Sequence, residues 1–86
     1  MPCVSRFRGI VIAIYYEDHP PPHFHARCCG AEASIRITPL VLLIGCLPPG
    51  PLGQVLEWAA LRQDELLAAW RRVQAAQPPG QILPLP

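Results

Sequence analysis

With 86 residues, 51% of them apolar, the chain can form one small domain, and a domain of that size buries only about 60% of its unfolded surface. A formal net charge of +1 excludes a strongly basic nucleic-acid binder at the level of the whole chain. No apolar run approaches the ~20 residues of a membrane span, so no membrane partner is expected.

Met1 to Arg6 is not followed by an apolar segment with a small-residue cleavage site, so a cytoplasmic location is expected. The first predicted element is a strand over 7–16. Ile10, Ile12, Ile14 and Tyr16 take one face, and Val11, Ala13 and Tyr15 the other. Three consecutive prolines, Pro20 to Pro22, then exclude helix and interrupt any sheet. They deliver a second strand, 23–28, in which His23, His25 and Arg27 share one face and Phe24, Ala26 and Cys28 the other. Cys29-Gly30 reads as a two-residue hairpin loop into a third strand, 31–38.

This turn fixes a register. Pairing Cys28 with Ala31 sets Ala26 opposite Ala33 and Phe24 opposite Ile35 on the apolar side. The other side then matches Arg27 with Glu32, His25 with Ser34 and His23 with Arg36. The Arg27–Glu32 pair adds ~0.5 kcal/mol, and a slip of one residue would bury the histidines. Thr38-Pro39 leads to a fourth strand, 40–46, with Leu40, Leu42 and Ile44 on the apolar face and Val41 and Leu43 on the histidine face.

After Pro51, proline being favoured at a first helical position, a stripe of apolar residues from Leu52 to Val73 predicts one helix over about 51–76. Leu61 falls off the stripe and Gln63 falls on it, so a bend near Arg62 to Asp64, with Asp64 as a second N-cap, is expected. In the alternative, Trp58 and Leu61 form a contact surface for another chain. Residues 78–86 read as an extended tail, which could fold over the mixed apolar and histidine face of the sheet. The fold class is therefore α+β: a small, mostly antiparallel sheet of three to four strands with one long C-terminal helix on one face. The four cysteines form no C-x-x-C pair and read as reduced thiols.

All three histidines, with Asp18, lie in the stretch Glu17 to His25. Three readings are open. His19, His23 and His25, with Asp18, have the residue types for zinc or another divalent metal. Alternatively His23 or His25 is a general base with Arg36 or Arg27 as an electrostatic clamp. In the third, Asp18 and His19 order the loop while His23 and His25 lie beneath a partner that also contacts Tyr15, Val41, Leu43 and Trp58.

The string Tyr16-Glu17-Asp18-His19, followed by Pro21-Pro22-His23-Phe24-His25-Ala26, resembles the signature of a family of small bacterial proteins, domain of unknown function 4160. The resemblance continues through Ser5-Arg6-Phe7, Gly9 to Ile12, Gly45 with Leu47-Pro48, and Val55 to Trp70. It departs at Pro49-Gly50-Pro51, where relatives often carry a basic residue, and at Cys28-Cys29, where an aromatic residue and glycine are more usual. The family has no settled activity, and its genes often stand beside a second small gene in toxin–antitoxin-like pairs. The resemblance thus implies an interaction module that binds a protein encoded by an adjacent gene, with a homodimer or a weakly supported nucleic-acid contact as further partners. The rival expectation is a small hydrolase or ribonuclease using the histidine cluster.

Overall fold

A computed structural model describes residues 2–86. Five strands form an antiparallel meander in the order β1 (Cys3–Phe7), β2 (Ile10–Ala13), β3 (His23–Cys28), β4 (Ala31–Arg36) and β5 (Val41–Gly45). Two helices follow, α1 (Pro49–Leu61) and α2 (Gln63–Gln74). Among the described residues, no helix is long and apolar enough to cross a membrane.

The α+β class and the antiparallel sheet are as expected, but the sheet has one strand more and the helical region is two helices. The strand expected over 7–16 is the end of one strand and the whole of another. Arg8 (φ +51) and Gly9 (φ +77) form a two-residue turn in the left-handed region, which folds Phe7 back onto Ile10. The apolar alternation hides this turn because it continues on both sides of it.

From β3 to β4 the expected register holds at all six pairs, from His23 opposite Arg36 to Cys28 opposite Ala31. One face of the sheet buries Phe24, Ala26, Ala33 and Ile35 together with Ile10 and Ile12. β5 is less regular. Ile35 faces Leu42 in the expected register, yet Leu42 is exposed rather than in the core, and a shift between Ser34 and Ile35 then sets Ile44 opposite Ser34 and Gly45 opposite Ala33. Ile44 is therefore turned out of the core and is 73% exposed.

Gly45 (φ +73) permits this irregularity, since an added Cβ would collide with the backbone carbonyl of Glu32. Substitution to Ala combines that collision with a left-handed backbone and is expected to cost ~1–3 kcal/mol, read as a lower urea midpoint. An unchanged midpoint would show that β5 can re-register without penalty.

The helices cover the apolar face with Val55, Trp58, Ala59, Leu66, Ala69, Trp70 and Val73. Trp58 is fully buried, 5.4 Å from Phe7 and 5.9 Å from Phe24 between ring centroids. It belongs to the core, not to a contact surface, because its ring is held on the sheet and its Nε1 donates to the Leu83 carbonyl (2.8 Å). The helix breaks at Arg62 (φ −121°), where the bend was expected, but Arg62 rather than Asp64 occupies the N-cap position. Gln63 sits on the apolar stripe because its Nε2 donates to the Ile37 carbonyl just past β4 (2.8 Å). The tail does not cover the histidine face. Its Ile82 N–H donates to Val4 of edge strand β1 (2.7 Å), and Ile82 and Leu85 join the core.

Candidate functional site

The loop between β2 and β3 is shaped by its prolines and by Glu17 (φ +65). Gln74 Nε2 donates to the Asp18 carbonyl (3.2 Å), tying the loop to the end of α2. The Ile37 N–H donates to Pro22 O (3.0 Å), anchoring its other end beside β4. Alternation along β3 then points His23 and His25 away from the core, side by side on one face. Their ring centroids lie 5.0 Å apart, and each side chain is only 11% exposed. Trp70 packs against His23 (5.3 Å) and Tyr15 stacks on His25 (4.0 Å), which fixes both ring planes.

Both rings aim the same nitrogen at the same atom. His23 Nε2 lies 3.1 Å, and His25 Nε2 2.9 Å, from Oδ2 of Asp18. The opposite nitrogens are held in place. His23 Nδ1 is 2.8 Å from the Pro21 carbonyl, which can only accept, so Nδ1 carries the proton. His25 Nδ1 faces Ser34 Oγ (3.2 Å) and a carboxylate oxygen of Glu32 (3.4 Å). The two Nε2 atoms and the Asp18 oxygen converge: His23 turns a lone pair toward the carboxylate, and His25 Nε2 can donate to it while Nδ1 accepts from Ser34. The three atoms all lie within 4.8 Å of one another, close enough to hold one metal ion.

A proton shared with Asp18 would satisfy His23, with His25 donating from its own neutral Nε2–H; a bound metal ion would instead take a lone pair from each of the three groups. One divalent ion satisfies them at once. Bonds of ~2.1 Å at right angles place ligand atoms ~3.0 Å apart, whereas tetrahedral bonds place them ~3.4 Å apart. The separations of 2.9 and 3.1 Å lie in the range of either hydrogen bonds or neighbouring metal ligands, and all three atoms are within 4.8 Å. Two histidines and one carboxylate that leave other positions open are a recurring set for transition metals. The Nδ1 contacts to a carbonyl and a carboxylate are the outer partners such ligands usually have.

Asp18, rather than His19, completes the cluster with His23 and His25: His19 is exposed and lies outside the converging group. It lines the adjoining cleft of about 320 Å³, together with Pro20, Pro21, Leu43 and Ile44. Arg36 stands opposite His23, but its Nε donates to the Thr38 carbonyl (3.1 Å), and it does not line that cleft. Val41 is exposed on β5, across from Arg36. Burial and then the Glu32 carboxylate push the Tyr15 hydroxyl up; Arg27 opposes them, and Asp18 adds the smallest upward push. Tyr15 thus keeps its proton and serves as a ring against His25, not as a phenolate ligand. Glu32 is the residue that sequence reasoning missed here. It is the diagonal cross-strand neighbour of His25 in the correctly read register, and that relation was the available signal.

The fold and site define a small α+β domain with a histidine–histidine–aspartate cluster at the start of the central strand β3. Residues 9–71 match the family described as Domain of unknown function (DUF4160), and the chain belongs to that family. No curated protein matches the chain, and no solved structure does.

Proposed function

We propose that the chain is a small metal-dependent hydrolase in which Asp18, His23 and His25 hold one divalent transition-metal ion. The observation that carries this reading is the pair of Nε2 atoms, each within about 3 Å of the same Asp18 oxygen, on rings anchored through Nδ1. A metal held by Asp18, His23 and His25 would leave room for water, would lower the pKa of that water toward neutrality and would polarise a substrate oxygen. His23 and His25 act as ligands in this reading, so neither is the general base. Pro20, Pro21, Leu43 and Ile44 make the cleft walls mainly apolar, and no arginine lines it. That favours a neutral ester or amide over RNA. Turnover on a panel of activated esters, amides and phosphodiesters tests it. Hydrolysis is expected with added divalent metal, lost in Asp18→Asn and kept in His19→Ala. A metal-loaded chain inert on all three classes rejects the hydrolytic reading.

A second reading rests on a different observation. Val41, Leu42, Leu43 and Ile44 of edge strand β5 are all exposed, and none is charged. Natural edges are usually blunted by charge, proline or a cover, and a bare one is a template for strand addition. This supports an interaction module that docks the protein encoded by an adjacent gene, as in a toxin–antitoxin-like pair. Ile44→Lys is expected to abolish co-purification with that co-expressed protein while leaving the circular dichroism spectrum unchanged. Undiminished co-purification would remove β5 from the interface.

A further inference from the structure

A second chemical feature lies at the other end of β3. Cys28 ends the strand, and Cys29 (φ +58) and Gly30 (φ +75) form the two-residue turn into β4. The left-handed backbone at Cys29 brings the two Sγ atoms to 2.9 Å. Cys28 is buried and Cys29 is exposed, so the pair is reachable from one side only. On that side a cleft of about 450 Å³ opens between Val11, Arg27 and Glu32.

Adjacent thiols can close on each other or bridge a third atom. Closure is disfavoured, because consecutive Cα atoms lie ~3.8 Å apart and ordinary disulfides span roughly 4.4–6.8 Å. The hydrogen bond between the thiols, and then burial, push the Cys28 thiol up, so it reacts by passing its proton to the incoming partner. Two thiols in contact favour a partner of narrow S–X–S angle, which they reach with the least rotation. With ~2.3 Å bonds, a tetrahedral zinc ion holds two sulfurs ~3.8 Å apart and a linear soft cation ~4.6 Å, while a right-angled centre needs only ~3.3 Å. The narrow angle is that of a pyramidal, trivalent centre of the arsenic type, and it lies nearest to the observed 2.9 Å.

We propose that Cys28 and Cys29 form a bidentate binding site for trivalent arsenic compounds, separate from the histidine cluster. With an As=O compound, both S–H protons pass to the oxygen. Two As–S bonds form as the As=O bond is lost, one water leaves, and arsenic stays trivalent.

The test uses the full reduced chain and phenylarsine oxide at equimolar concentration, followed by alkylation and peptide mapping. One phenylarsenic adduct per chain is expected. It should block Cys28 and Cys29 together, leave Cys46 reactive, and be released by a competing small dithiol. Cys29→Ser is expected to weaken retention at least tenfold, and Cys46→Ser to leave it unchanged. Alkylation of Cys28 and Cys29 at undiminished rates would overturn the site, as would an adduct on another pair or full retention in Cys29→Ser. The mapping on the unsubstituted chain decides the matter even if Cys29→Ser folds poorly.

Discussion

Asp18→Asn and His23→Gln are each expected to weaken divalent-metal binding by at least 100-fold, whereas His19→Ala changes it by less than threefold. Removing an outer partner of a metal ligand already costs 10–100-fold, so removing a ligand itself must cost more. Asp18 carries the larger share, because its Oδ2 is the atom on which both Nε2 nitrogens converge and it brings the only formal charge among the three ligands. His23→Gln keeps a polar group of similar reach but cannot offer a ring nitrogen anchored by the Pro21 carbonyl. Glu32→Gln should fall between, at about 10-fold, since it touches only the far nitrogen of His25. Calorimetric titration of the metal-stripped variants separates these values. Equal affinities in Asp18→Asn and His19→Ala would place any bound ion elsewhere.

Trp58→Ala is expected to destabilise the domain by ~3–5 kcal/mol, enough to leave much of the chain unfolded at 25 °C. The ring is wholly buried, packs on Phe7 and Phe24, and donates to the Leu83 carbonyl. Its loss opens a cavity where sheet, α1 and tail meet, and leaves a carbonyl without its donor. Trp58→Phe keeps most of the volume and should cost less, with ~1 kcal/mol of that from the hydrogen bond. Urea unfolding of the three proteins measures the series. A cost for Trp58→Ala below ~1 kcal/mol would return Trp58 to the surface role that helical spacing left open.

Much of the sheet could be read from residue alternation, and the failures have local causes. The β3–β4 hairpin was legible because its period-two pattern, its Gly30 turn and the Arg27–Glu32 pair all require one register. The Arg8-Gly9 hairpin was not, because arginine is a poor signal for the first position of a primed turn and the isoleucine run continues past it. The shift in β5 depends on Gly45 passing close to the Glu32 carbonyl, a backbone approach that alternation cannot express. His23 and His25 were assigned to one face by the same alternation. Which of Asp18 and His19 joins them is decided by the loop backbone around Glu17 and Pro20 to Pro22, where no periodicity operates.

Metal analysis of the unsubstituted chain tests the central claim most directly. The protein is stripped with a chelator, titrated with manganese, iron(II) and zinc under reducing conditions, and followed by stoichiometry, proton release and melting temperature. One ion per chain is expected, with a higher melting temperature in its presence and protons released on binding. Binding should be lost when Asp18→Asn and His23→Gln are combined. No saturable binding by any of the three metals, or binding that survives the double substitution, would contradict a metal centre at Asp18, His23 and His25.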